Sequence, residues 1–434
     1  MSKEYFLAID LGASSGRHIV CEKNSSELIE VYRFKHQVIE KNQHKYWNLP
    51  KIWDEIKKGI AIACERFHVV SLGIDTWAVD YVLIDEDGSV DDAFAYRDPR
   101  TKDVIDEVHK IIPFEDLYKH TGIQFQPFNT IYQLYWDRKF GRLTKNKKIL
   151  MLPEYFYYKL TGQMVNEYTN ATSTGFVDIN KKEYHPEILK LLGIDKSHFS
   201  KLHQPGYIMK PLEKIKNELN FDGNIVLVAT HDTASAVEGI DIGKNNIYLS
   251  SGTWSLLGVK IDTPILTNFS RNLNYSHEGG VGYLRFQKNI MGLWIIEELM
   301  RDLKIDAYEK MVEMAKSAQN IYIFNVNDER LFAPCSMLEC VKNLINEKFD
   351  IIDINNSDLI NSVYHSLAKS YKDAIEELEQ LTHSLYREFY IFGGGTKNVY
   401  FNELIEKYTN KLVIVLPTEA TAIGNIKIQK EVLK

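Results

Sequence analysis

A short apolar strand that runs into an aspartate and a small-residue turn constrains this chain more than any other feature, because a comparable unit returns near the middle. Residues 5–9 read as a buried strand ending at Asp10, residues 11–16 as a Gly- and Ser-rich turn, and residues 17–22 as a second strand. Residues 246–249, the turn Ser250-Ser251-Gly252-Thr253 and residues 254–260 repeat that plan. Its use twice predicts two domains meeting near residues 240–245; a chance match of two small-residue turns is the competing account. After the first unit come a strand at 27–34, a helix opened by Pro50 with Ile52, Trp53, Ile56, Ile60 and Ala63 at helical spacing, and a strand at 69–74 ending at Asp75. This order builds a mixed sheet with covering helices, an α/β fold. A helix at 359–381, a strand at 389–392, Gly393-Gly394-Gly395, a helix at 401–407, a strand at 412–416 and a last helix from residue 419 extend the alternation.

The 434 residues supply material for two or three domains. A formal net charge of −7 argues against a nucleic-acid partner bound through a basic face. It leaves room for an anionic ligand, since phosphates can be held by backbone N–H groups, helix N-termini and a metal. Cys21, Cys64, Cys335 and Cys340 form no C-x-x-C pair and read as isolated reduced thiols. Asp10 interrupts the N-terminal apolar stretch, which excludes a signal peptide, and no run is long enough for a membrane span. A soluble, cytoplasmic chain is expected.

Four segments carry candidate chemistry. In Asp10-Leu-Gly-Ala-Ser-Ser-Gly-Arg17, small residues let the backbone approach a phosphate, Ser14 and Ser15 add donors, and Asp10 offers one carboxylate to hydrated Mg²⁺. A bland hairpin fits the same letters. Three glycines from Gly393 suit close approach of a flat or charged ligand, or a flexible turn; with no G-x-G-x-x-G and no G-x-x-x-x-G-K-[ST], Rossmann and P-loop chemistry are disfavoured. Asp232 in Thr230-His231-Asp232-Thr233 follows an apolar strand at 225–229, where it suits taking a hydroxyl proton, although capping a helix is the plainer account of this motif alone. Trp77-Ala78-Val79-Asp80 and Tyr96-Arg97-Asp98-Pro99-Arg100 set polar groups beside aromatics, as sugar sites do. For that last pair a strand end and a salt-bridged surface loop, with Arg97 and Arg100 paired or solvated, is the plainer account.

Taken together, AIDLGASSGR, GIDTWAVDYVLID, AYRDPRT, TGIQFQPFNTIYQLY, LPEYFYYKLTG, NEYTNATST, HDTASAV, YLSSGTWSLLG, KNIMGLW, GGGTKN and EATAIGNI, collinear from residue 6 to residue 426, resemble the FGGY carbohydrate kinases. The resemblance implies two RNase H-like domains of the actin-like ATPase type, each a mixed sheet flanked by helices, about a central cleft. Residues 1–242 would form the sugar side and residues 243–434 the nucleotide side. It implies Asp232 as the base for the sugar's 1-hydroxyl, with Ala78, His231, Thr233 and Asn289 as further sugar contacts. Ala13, Ser14, Ser15, Gly16 and Arg17 would form the phosphate-binding turn. Thr253, Glu297 and Gly394 would contact nucleotide, and Asp10 would sit beside the metal.

ATP and Mg²⁺ are the implied cofactors, a small ketose the implied partner, and a monomer or homodimer the expected assembly. The DLGASSGR, IQFQPFNT and SSGTWSL forms point within the family to L-rhamnulose, phosphorylated at O1 in L-rhamnose catabolism. Three features depart from the family pattern. Ala78 stands where members carry Gly, which narrows the pocket and keeps L-fuculose or L-xylulose open as the sugar. Glu297 replaces a Gln, and relatives continue beyond the position of Lys434. Readings of another class are an actin-like ATPase indifferent to sugar and a catalytically weak sugar sensor.

Overall fold

The N-terminal apolar run becomes β1 (Glu4–Leu11), the strand around which the first sheet is built. Side chains alternate across a strand, and β1 uses both faces. Leu7, Ile9 and Leu11 join a core with Ile52, Ile56 and Ile60 of α1 (Leu49–Arg66), while Phe6 and Ala8 meet Ala422 and Ile426 near the C-terminus. Burial on both faces explains why the strand reads as a continuous apolar run rather than an alternating one. Each fully buried Leu or Ile contributes roughly 1.5–3 kcal/mol. The computed structural model describes residues 3–332 and 334–434.

β2 (Ser15–Glu22) and β3 (Leu28–Lys35) extend the sheet antiparallel on one side of β1. On the other side β4 (His68–Thr76) pairs parallel with β1, and beyond it lie β6 (Asn224–Leu227) and β5 (Tyr207–Met209), giving the order β5-β6-β4-β1-β2-β3. α1 starts where Asn48 accepts from the Lys51 N–H at 3.1 Å and Pro50 occupies its first turn. Between β4 and β5 the chain inserts α2 (Thr130–Lys139) and α3 (Leu152–Thr161), helices the sequence pattern does not announce. α4 (Asp232–Gly239) follows β6.

The second sheet repeats the opening. β7 (Ile247–Ser251) and β8 (Trp254–Ile261) form an antiparallel pair beside β9 (Leu284–Met291); β10 (Glu388–Phe392) runs parallel to β7, and β11 (Leu412–Val415) parallel to β10. Its longest helices are α5 (Trp294–Leu303), α6 (Met337–Phe349), α7 (Asn356–Thr382) and α8 (Val399–Thr409). The helices expected at 359–381 and 401–407 are α7 and α8, each slightly longer than its apolar pattern.

The two units do not follow a single cut in the chain. One comprises Met1–Asp241, Ile261–Arg285 and Glu419–Lys434, the other Ile242–Lys260 and Phe286–Thr418. α9 (Ala420–Val432) therefore packs in the first unit, although the sequence groups it with the second half. Two glycines make this possible: a Cβ on Gly424 would lie 1.8 Å from the Ser235 carbonyl oxygen of α4, and one on Gly239 would lie 2.2 Å from that of Ala420. Gln429 then donates to the Leu7 carbonyl of β1 at 3.0 Å and accepts from the Ser71 hydroxyl of β4 at 2.7 Å.

Candidate active site

Three carboxylates converge at strand and helix ends of the first unit. Asp10, near the end of β1, lies beside Asp75 in the parallel register with β4, and Asp232 opens α4. Strand ends gather them because β1 and β4 are parallel neighbours that finish together. Both Nε and Nη2 of Arg17 donate to Oδ2 of Asp10 at 2.8 Å, an arrangement fixed by the cross-strand pairing of the two residues. Asp75 is fully buried; burial and then the charge of Asp10 push its carboxyl well above the usual range, against one donor, Nδ2 of Asn425 at 2.6 Å. Asp75 and Asn425 both fall in segments that carry the family resemblance, GIDTWAVDYVLID and EATAIGNI, but neither received a role from the sequence, and their contact spans 350 residues.

The cap reading of Asp232 is corrected here. The cap position falls on His231, and Asp232 is the first residue inside the helix. Its Oδ1 accepts from the Thr233 N–H at 2.6 Å and the Thr233 hydroxyl at 3.2 Å, with Nε2 of His231 at 3.5 Å. Oδ2 has no protein donor among the described residues, and the side chain is 30% exposed. Loss of solvent raises the carboxyl above its ordinary value; His231 opposes this and Asp10 adds to it. A carboxylate with one oxygen anchored, the other open and its basicity raised is built to take a proton. The stretch is held from behind by Glu167, a buried carboxylate that accepts from the Thr230 N–H at 3.0 Å and the Thr230 hydroxyl at 2.8 Å.

The expected strand end is present, with β4 finishing at Thr76, and the Trp77–Asp80 loop after it is largely buried. Val79 adopts φ of 66°, a left-handed conformation that strains a β-branched residue, and its carbonyl accepts from the Thr130 hydroxyl at 2.8 Å. Oδ2 of Asp80 takes the indole N–H groups of Trp47 at 2.6 Å and Trp77 at 2.9 Å and the Tyr96 N–H at 3.2 Å. Ala78, between them, is partly exposed. Arg100 is paired, as expected, but it is buried: Nη2 donates to Gln133 at 2.6 Å, and the guanidinium lies 3.9 Å from the Phe94 ring centre.

In the N-terminal turn the Gly12 N–H donates to the Ser15 carbonyl at 2.9 Å, leaving Ala13 partly exposed and Ser14 exposed at the tip. Gly16 is obligatory for a different reason, since a Cβ there would lie 2.5 Å from the Phe34 ring. In the second unit Thr253 occupies the corresponding turn, where the Gly252 N–H donates to the Trp254 carbonyl at 3.0 Å. Gly393 takes φ of 93° and Gly395 leaves no room for a Cβ beside Ser251 Oγ, whereas Gly394 has open space around it. Its backbone is therefore free to face a ligand. Burial and then the neighbouring charge of Glu297 on α5 push the Tyr308 hydroxyl above its ordinary value. Asn289 on β9 holds a buried Oδ1 with no hydrogen-bond partner among the described residues, an acceptor that a bound molecule could use.

Family models for the N-terminal and C-terminal domains of the FGGY carbohydrate kinases match residues 5–239 and 247–430. The chain belongs to the FGGY family of carbohydrate kinases. ATP is accordingly its phosphoryl donor, and the two-domain actin-like fold expected from the motifs is present. Among its relatives, a rhamnulokinase of Halalkalibacterium halodurans is 42% identical over 98% of this chain and 93% of its own. A rhamnulokinase of Bacillus subtilis is 38% identical over 98% and 89%. Among solved structures, a xylulose kinase from Lactobacillus acidophilus superposes with a TM-score of 0.84 at 16% identity, covering 99% of this chain and 89% of that one. An ADP-bound glycerol kinase from Plasmodium falciparum gives 0.78 at 15%, covering 100% and 90%. At such identities the two structures speak for the fold alone. No helix among the described residues is long and apolar enough to cross a membrane.

Proposed function

We infer that this FGGY-family chain transfers the γ-phosphoryl group of ATP to O1 of L-rhamnulose, releasing ADP and L-rhamnulose 1-phosphate. The observation that carries this reading is the likeness to rhamnulokinases at 42% identity along nearly the whole chain. Asp232 is the proposed base: its open Oδ2 receives the 1-hydroxyl proton as the oxygen attacks the phosphorus, while Thr233 and His231 hold Oδ1. Ala78, His231, Thr233 and Asn289 would orient the ketose. Ala13 to Arg17, Thr253, Glu297 and Gly394 would hold the nucleotide, the N–H groups of both turns serving the phosphates.

Mg²⁺ would neutralise charge on the transferring phosphoryl group. Hydrated Mg²⁺ asks one or two carboxylates of a protein and takes its remaining ligands from water and phosphate. Asp10 fits that demand, and no group of three or more His, Cys, Asp or Glu among the described residues is arranged to hold a metal alone. Residues 1–242 would serve the sugar and 243–434 the nucleotide, with α9 supporting the sugar side. The four unpaired cysteines suit the reducing cytoplasm.

The test is ADP release from Mg-ATP with L-rhamnulose, L-fuculose, L-xylulose and no sugar. Release that depends on L-rhamnulose, well above the other ketoses, is the expected result. Equal or better rates with another ketose would overturn the substrate and implicate Ala78. Release indifferent to sugar would favour an ATPase, and none at all a sensor.

A further inference from the structure

Behind His231 lies an ion pair that the proposed function does not use. Arg285 is completely buried. Its Nε donates to the Gly279 carbonyl at 3.0 Å, and its Nη2 stands 3.1 Å from Oε2 of Glu278 and 3.0 Å from Nδ1 of His231. Oε2 of Glu278 is also 3.2 Å from that same Nδ1. Two arrangements of the proton on His231 compete. In one, Nδ1–H donates to Glu278; in the other, Nδ1 is a bare acceptor and Nε2 carries the proton.

Arginine decides between them, because a guanidinium nitrogen donates and never accepts. With Nδ1–H, both Nδ1 and Nη2 would have to donate to the single atom Oε2 of Glu278 while standing 3.0 Å apart as two donors. With Nδ1 bare, the two hydrogens of Nη2 meet two acceptors, Nδ1 of His231 and Oε2 of Glu278. The proton then lies on Nε2, the ring atom 3.5 Å from Oδ1 of Asp232. We propose that Arg285, held by Glu278 and the Gly279 carbonyl, is a positioning residue that fixes the Nε2–H tautomer of His231 and so turns a donor toward Asp232 and the sugar. Glu278 on its own would favour the opposite tautomer, leaving a lone pair on Nε2 facing a carboxylate. This role rests on the assignment of Asp232 as the base.

The variant Arg285→Met leaves the buried Glu278 without its arginine and is at risk of misfolding for that reason alone. Arg285→Met/Glu278→Leu removes both charges together, and apolar replacement of a buried pair is often neutral for stability. The experiment records ¹⁵N shifts of histidine-labelled full-length protein, with His231 assigned by its loss in His231→Gln, alongside kcat and KM for ketose and for ATP. In wild type, His231 should show a protonated Nε2 and a bare Nδ1. The double variant should melt near wild type, lose that tautomer signature and fall about 10–100-fold in kcat/KM for the ketose, the range for removing an outer partner that orients a functional histidine. KM for ATP should stay put. A wild-type His231 protonated on Nδ1 overturns the proposal, as does a folded double variant that keeps either the Nε2–H signature or full activity. Asp232→Asn, run in parallel, separates the two claims: its full activity would sink the base assignment, whereas its inactivity beside an Nδ1–H wild type would sink the tautomer role alone.

Discussion

The two hairpins that open the sheets share a backbone plan and differ in charge. With Gly12 set on Gly252, both glycines donate across the turn, to Ser15 at 2.9 Å and to Trp254 at 3.0 Å. Asp10 then corresponds to Ser250. Their parallel neighbours also correspond, Asp75 on β4 and Phe392 on β10. The first unit thus puts two carboxylates side by side where the second puts a hydroxyl and a phenyl ring. Burial and then the charge of Asp10 raise the Asp75 carboxyl, the mark of repulsion between neighbouring carboxylates. Arg17 and Asn425 offset that repulsion with hydrogen bonds of 2.8 and 2.6 Å, and the second hairpin has no such repulsion to offset. On the proposed function this difference would be a division of labour, in which the charged strand ends would serve the chemistry and the neutral ones would offer backbone and hydroxyl groups to nucleotide.

The sharpest way to break that comparison is Asp232→Asn. It keeps the shape and one anchored oxygen but removes the proton acceptor, so kcat should fall about 10²–10⁴-fold. Calorimetry should find ATP and ketose binding nearly unchanged. Near wild-type turnover would mean that the charged edge is structural.

A smaller effect is expected in the second unit, where alanine replaces one of two adjacent glycines. A Cβ at Gly395 would lie 2.1 Å from Oγ of Ser251 and 2.9 Å from Cδ1 of Leu293, so Gly395→Ala should destabilise by about 1–3 kcal/mol through overpacking. Gly394 has nothing within 4 Å, and Gly394→Ala should leave the melting temperature alone while weakening ATP binding. If Gly394→Ala binds ATP as well as wild type, the neutral loop does not face nucleotide.

Much of this frame was legible in the sequence because strands buried on both faces print uninterrupted apolar runs, and because small-residue turns are conspicuous between them. Asp10, Arg17, Asp232 and the three glycines stood at such turns and were singled out there as candidates, each beside a plain structural account. What stayed hidden depends on long-range packing. Asp75 gains its environment from Asp10 and Asn425, and Arg285 looks like any charged residue until it is found wholly buried against Glu278 and His231. The place of α9 was invisible for the same reason, since Gly239 and Gly424 signal close approach only once they face each other. The strand end before Trp77 was legible, but the burial of the loop after it and of Arg100 in the segment expected at the surface was not, because neither Val79 at positive φ nor an aspartate capped by two indoles has a periodic signature.

That loop yields the smallest predicted effect, in stability rather than rate. Burial pushes the Asp80 carboxyl up to about 6 from an ordinary value of 3.8, and the Trp47 and Trp77 indoles, the Arg100 charge and the Tyr96 N–H only partly counter it. A carboxyl whose folded value is raised stabilises most at acid pH, below the unfolded value. That contribution fades as pH climbs through about 6, by at most about 3 kcal/mol at 1.36 kcal/mol per unit. His18 and His277, both buried and lowered to about 4, act with the opposite sign: their contribution is complete above 6.5 and fades as pH falls toward 4. A plain stability profile would mix the two trends. Asp80→Asn separates them, because its Oδ1 can take the place of the carboxylate oxygen that receives Trp47, Trp77 and Tyr96, and both histidines are common to the two proteins. Wild-type stability minus variant stability, from urea midpoints, should therefore decline between pH 4 and 6 and level off above 7. A flat difference would mean that the two indoles and the Tyr96 N–H already hold Asp80 ionised throughout that range.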